Sequence, residues 1–101
     1  MESATLRVRI LPLLDMDVST TRLRRRRRLA VSGVLWSRAG EAEVDLLLER
    51  KVRGRYRKMR RRRVAVSDHR YLRVLRPSRP GLYRITVSVP GANQRRYVRV
   101  T

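Results

Sequence analysis

The chain has no cysteine and no phenylalanine, and lysine occurs only twice. Without cysteine there are no disulfides and no thiol chemistry. A lone His69 cannot supply the three or four ligands of a zinc site. Aromatic bulk is confined to Trp36, Tyr56, Tyr71, Tyr83 and Tyr97. No stretch of ~18 apolar residues occurs, so no membrane-spanning helix is expected. The start, "MESATLRVRI", has an acidic second residue and no apolar core of signal-peptide type. An extracellular or envelope placement then implies a larger or processed parent protein, and the alternative is the cytoplasm.

Negative charge is also scarce. Eight Asp and Glu stand against 27 Lys and Arg, giving a net charge of +19, and nearly all of the cations are arginine. Such a charge opposes compaction and attracts anions. One reading is a polyanion partner: nucleic acid, acidic polysaccharide or anionic lipid. The other is a GC-rich genome that places arginine wherever a surface cation is tolerated. At 101 residues and 42% hydrophobic content, the chain is long enough for one modest core.

What remains is strongly patterned. "TLRVRILPLL" sets Leu6, Val8 and Ile10 against Arg7 and Arg9, the two-residue period of a half-buried strand. Pro12 makes this an edge strand or one that changes sheets there. "DMDVSTT" reads as an extended linker or short strand, and Arg22 to Arg28 as a basic approach. A strand follows over 29–36, with Leu29, Val31, Gly33 and Leu35 on one face. Gly33 signals a bulge or a close backbone contact. "SRAGEAE" is the next loop.

"EVDLLLERK" places Val44, Leu46 and Leu48 on one face, and "KVRG" is a hairpin turn ending at Gly54. A helix over 41–52 competes there, but Gly54 and the β-branched flanks oppose it. "RYRKM" returns with Tyr56 inward, continuing to Val64 and Val66. "SDHR" is a turn, "YLRVLRP" a strand and "RPSRPG" a proline-set loop. "LYRITVSV" alternates Tyr83, Ile85, Val87 and Val89 with Arg84, Thr86 and Ser88. "GANQ" is the last hairpin loop and "RRYVRVT" the last strand, with Val98 and Val100 inward. Seven or eight short strands at ~8–12-residue spacing predict an all-β sandwich or barrel.

The segments "LAVSGVL", "VDLLLERKVRGRYRKM", "YLRVLRPSRPGLYRITVSV" and "YVRV" together resemble bacterial immunoglobulin-like domains of secreted and cell-surface proteins. The arginine-rich versions of high-GC Actinobacteria are the nearest in character. The resemblance covers residues 29–101. It implies an antiparallel immunoglobulin-like β-sandwich of about seven strands. One domain spans 1–101, with 1–28 as edge strand plus basic linker and 29–101 as the main sandwich. In such a sandwich Tyr83 either turns its hydroxyl back to the preceding loop, as a tyrosine corner does, or is an ordinary core tyrosine. The implied role is a non-enzymatic structural or interaction module that contacts other protein domains or copies of itself.

Catalysis is not expected. Ser67, Asp68 and His69 are adjacent, and a hydrolytic triad converges from separate parts of a fold. Asp15, Asp17 and Asp45 have weak spacing for calcium amid positive surroundings. No cofactor is expected. The candidate anion-binding residues are Arg24, Arg25, Arg26, Arg27 and Arg28, and Arg60, Arg61, Arg62 and Arg63. Both runs flank predicted strands, and a guanidinium holds phosphate, sulfate or carboxylate bidentately. In an extended segment alternate residues point oppositely, so half of each run faces one ligand. The competing reading is a solvated or disordered loop. Nucleic-acid binding would be to backbone phosphates, because the tyrosines sit mostly at apolar-face positions. Glu41, Glu43, Asp45 and Glu49 are expected either to pair with arginines of a neighbouring strand or to meet the basic edge of a second copy.

Overall fold

A computed structural model describes residues 12–37 and 42–101. The strand expected at Leu6, Val8 and Ile10, and the loop positions Gly40 and Glu41, lie outside the described residues. The described chain is all-β: β1 (Leu13–Leu14), β2 (Asp17–Val18), β3 (Arg22–Leu23), β4 (Leu29–Trp36), β5 (Glu43–Val52), β6 (Arg55–Ala65), β7 (Arg70–Leu75), β8 (Gly81–Val89) and β9 (Ala92–Val100). Segment 43–52 is strand and not helix. Two sheets pack into a β-sandwich, with nine strands in place of the expected seven. Three of the nine are two-residue pieces: β1 at the end of "TLRVRILPLL", β2 in the segment read as extended linker or short strand, and β3 at the start of the basic approach.

In the smaller sheet, β4 is central. β7 pairs along one side of it, from Leu29 opposite Leu75 to Val34 opposite Arg70. β1 and β2 take the other side in turn. Leu14 opposite Leu35 and Val18 opposite Val31 keep one register, so the chain runs alongside β4 with only a local break. That break lies beside Gly33. A Cβ there would overlap the Asp15 carbonyl, so the glycine marks a close backbone contact. Tyr71, directly opposite Gly33, fills the space left by the missing side chain. Its hydroxyl donates to the Asp15 carbonyl. Burial, with Asp15 and Asp17 nearby, pushes the Tyr71 pKa up, which keeps the donor protonated.

The chain changes sheets after β2, while the strand before Pro12, read as an edge strand or one that changes sheets there, lies outside the described residues. Ser19 still donates to Ala30 of the first sheet, while Thr21 accepts from Arg99 of the second. β3 then pairs parallel to β9, a departure from an all-antiparallel sandwich. The larger sheet has the order β3-β9-β8-β5-β6. Inward residues alternate as expected: Val44, Leu46 and Leu48 on β5, Tyr83, Ile85, Val87 and Val89 on β8, and Val98 and Val100 on β9 are buried. They meet Leu29, Val31, Leu35, Tyr71, Leu75, Leu14 and Met16 from the other sheet. Each such aliphatic side chain contributes ~1.5–3 kcal/mol by leaving water. No charged side chain is buried among the described residues.

Two expectations need correction. Tyr56 is not in the core. Leu48 pairs with Arg60 but Glu49 with Lys58, so Met59 is an extra residue that bulges from β6. The bulge reverses the alternation, and Tyr56 joins Glu49 on the outer face while Val64 remains inside. The last turn is also tighter than "GANQ". Only Pro90 and Gly91 separate the strands, and Asn93 and Gln94 belong to β9. Tyr83 does turn back: its hydroxyl donates to the Arg79 carbonyl at 2.8 Å.

Gly33→Ala forces the Asp15 backbone away from β4. Urea denaturation is expected to show a loss of about 1–3 kcal/mol, the range for overpacked sites. A loss below half a unit would mean that the β1–β2 segment contributes little to the sandwich.

Candidate anion-binding surface

Antiparallel pairing gathers particular loops at particular ends. Leu29 of β4, Leu75 of β7, Gly81 of β8 and Val100 of β9 lie at one end of the sandwich. That end therefore carries the 24–28 segment, the 76–80 loop and the chain's last residue. The β5–β6 hairpin overhangs it, because Arg50 pairs with Tyr83 and the strands continue to the Arg53–Gly54 turn. Arg53 and Gly54 both have positive φ, as a two-residue type I′ turn requires. The hairpin adds Arg50, Lys51, Arg53, Arg55, Arg57 and Lys58 to this end.

The first arginine run is a folded turn and not an extended segment. Arg25 donates its N–H to the Thr101 carbonyl at 3.0 Å, and Arg26 to the Pro77 carbonyl at 2.7 Å. Arg27 closes on Arg24 at 3.2 Å, with Arg26 in the left-handed region at φ 68°. The backbone is anchored while all five side chains remain exposed. Arg26, Arg27 and Arg28 line a shallow cleft together with Arg76. Arg24 and Arg25 lie in the same turn but outside that cleft.

The second run does not flank a strand; it lies within β6, and register divides it. Arg60, opposite Leu48, takes the inner side. It lines a second cleft with Arg76, Met59, Tyr83 and Leu75. Arg61 and Arg63 take the outer side, where Arg61 lies 3.5 Å and Arg63 3.9 Å from the Asp45 carboxylate. Arg62 lines a separate hollow with those two and Asp45. The structure thus joins Arg26, Arg27, Arg28 and Arg60 through Arg76, and leaves Arg61, Arg62 and Arg63 apart.

Among the described residues, Asp45 and Glu49 pair with arginines of neighbouring strands. Glu49 accepts from Arg84 Nε at 2.9 Å and from its second nitrogen at 3.0 Å, across adjacent strands. Their side chains are 13% and 24% exposed, so this fork is shielded from solvent. The Glu49 hydrogen bonds push the Arg84 pKa up and keep it charged. Arg84 lies over the Tyr56 ring, 4.2 Å from its centroid. Asp15 and Asp17 sit on the smaller sheet and Asp45 on the larger, which separates the weak calcium trio.

Sequence reasoning missed Arg76, an isolated arginine before Pro77 with no run to mark it. It also misplaced Tyr97, although the signal was present: with Val98 and Val100 inward, Tyr97 must face out, and it is 47% exposed. Compared with models of known protein families and with curated proteins, the chain matches none.

The two kinds of ion pair differ in shielding, and substitution separates them. Glu49→Gln leaves a sheltered guanidinium without its carboxylate and is expected to lower stability clearly more than a change at the exposed pair does. Asp45→Asn, on an exposed pair, is expected to cost under ~0.5 kcal/mol. Urea denaturation of both variants checks the order, and equal losses would contradict it.

Proposed function

We propose that this protein binds polyanions without sequence preference, through the arginine-rich end of its sandwich. The observation that carries the reading is the shared position of Arg76. It joins Arg26, Arg27 and Arg28 on one side to Arg60 on the other, across two adjoining clefts. Four chain segments meet there: the 24–28 turn, β6, the 76–80 loop and the overhanging hairpin. Among the described residues, none of Arg26, Arg27, Arg28, Arg60 and Arg76 is in an ion pair with a side-chain carboxylate, and Glu49 on neighbouring β5 is already occupied by Arg84. Cations gathered on a fixed scaffold without nearby acids raise the local concentration of an anionic ligand. Guanidinium groups suit phosphate and sulfate because they present paired donors in one plane.

The test is a salt series with labelled duplex DNA and with heparin. Arg27→Ser/Arg76→Ser is compared with Arg70→Ser/Arg73→Ser, which removes the same charge elsewhere. The first variant is expected to weaken duplex binding and to flatten the dependence of log K on log salt by about two, one for each lost phosphate contact. The second is expected to stay near the unchanged protein. If both pairs lose binding equally, total charge and not this end is responsible, and the reading fails.

A second reading is a module that contacts other protein domains or copies of itself, in an envelope protein or a filament. A different observation favours it. The outer face of the smaller sheet exposes Leu13, Trp36, Leu72 and Val74. Leu13 pairs with Trp36, Ala30 with Val74 and Ser32 with Leu72, so these side chains share one face. Clustered apolar exposure of this kind marks contact surfaces. Sedimentation at rising concentration is expected to show association that Leu72→Ser/Val74→Ser abolishes. A monomer throughout would remove contact between copies from this reading.

A further inference from the structure

The outer face of the larger sheet offers something that the arginine end lacks, namely exposed aromatic surface among cations. Pairing fixes its layout. Tyr97 stands beside Arg84, Arg84 beside Glu49, and Glu49 beside Lys58. In the next row Arg22 stands beside Arg99 and Arg99 beside Leu82. Lys51 pairs with Tyr56 on the hairpin, and Arg95 pairs with Thr86 on the other flank. Tyr97 is 47% exposed. Tyr56 reaches across the sheet until its ring centroid is 6.1 Å from that of Tyr97, tilted by 55°. The Arg84 guanidinium lies beneath Tyr56, held by both Glu49 oxygens.

We infer that this face binds single-stranded nucleic acid, with unpaired bases stacking on Tyr97 and Tyr56 and the surrounding cations holding the backbone. The inference rests on the polyanion reading above for the attraction of an anionic strand, and goes beyond it by assigning a second face and the ligand class that this face takes. The Glu49–Arg84 fork neutralises the centre of the face and holds its donors away from a ligand. What the centre then presents is ring surface. Around it stand Arg22, Arg95, Arg99, Lys51 and Lys58, none in an ion pair. Arg95, Tyr97 and Arg99 project from alternate positions of one strand, ~6.6 Å apart, which sets an aromatic between two cations along a line. A strand with splayed bases matches that order, because every base offers a π-face and every linkage a charge. A duplex keeps its bases stacked on one another and leaves the tyrosines without a partner. A sulfated glycan meets the cations but supplies no flat aromatic ring.

The test uses four labelled probes at one salt concentration: oligothymidine, the same sugar–phosphate strand without bases, a duplex of equal length, and heparin. Oligothymidine is expected to bind about tenfold more tightly than the abasic strand. Tyr97→Ala is expected to remove about that factor for oligothymidine and to leave the abasic strand, duplex and heparin unchanged. Tyr97→Phe, which keeps the ring, is expected to retain it. Equal binding of oligothymidine and the abasic strand overturns the stacking role while the polyanion reading stands. So does a Tyr97→Ala loss shared by all four probes. If neither the abasic strand nor heparin binds at all, the polyanion reading falls and this inference falls with it.

Discussion

Alternation of side chains along a strand is the constraint on which everything else here depends. A chain with a net charge of +19 repels itself, and no arginine can enter a dry core without a partner. Strand geometry resolves the conflict locally, because each step of two residues returns to the same face. In β8, Tyr83, Ile85, Val87 and Val89 are buried while Arg84, Thr86 and Ser88 lie outside, within nine residues. A helix would bury apolar residues three and four apart, whereas the buried residues of β8 recur at every second position. The fold class therefore follows from how arginine is interleaved with valine and leucine, not from composition.

Alternation was legible wherever one face is fully apolar. Strand Leu29–Trp36 and the inward faces of β5 and β8 can be read directly from the letters. It failed where tertiary pairing replaces pattern. β1, β2 and β3 are two residues each, fixed by partners far away in sequence. The start of β9 was missed because its inward positions there are polar. Gln94 lies opposite Val87, and its amide donates to the Leu14 carbonyl at 3.3 Å, joining the two sheets at their edge. Tyr56 was misread because a one-residue bulge at Met59 carries no signature in a run of arginines. Counting back from the Arg53–Gly54 turn places it opposite Lys51 and so outside, but only once the two-residue turn is known.

The N-terminal segment ties these parts together. It follows β4 past Gly33, where the Asp15 carbonyl approaches the backbone and Tyr71 reaches over to meet it. It then crosses to β9, and Arg99 and Thr101 bind the carbonyls of Thr21 and Leu23. The crossing sets where the first arginine turn can stand. With Leu23 held beside Val100, Arg25 meets the Thr101 carbonyl and Arg26 the Pro77 carbonyl. The 76–80 loop is fixed from the other side, since Arg50 donates to the Pro80 carbonyl at 2.9 Å and Tyr83 to that of Arg79. The turn and loop of the charged end are thus held by hydrogen bonds to backbone carbonyls, which leave Arg26, Arg27, Arg28 and Arg76 out of any ion pair among the described residues.

Arginine density in the sequence is a poor guide to where charge acts. The run at Arg60, Arg61, Arg62 and Arg63 looks like one site, yet alternate members serve opposite faces and two of them attend Asp45. Arg76, with no run around it, lies where two clefts join. Arg84 stands alone between Tyr83 and Ile85, but Glu49 and Tyr56 make it the most constrained cation described. Held flat and neutralised, it supports an aromatic surface, while arginines without partners remain available to a ligand. The same residue type thus serves two purposes, and the register decides which: a carboxylate one strand away makes an arginine structural, and its absence leaves the charge to face the solvent.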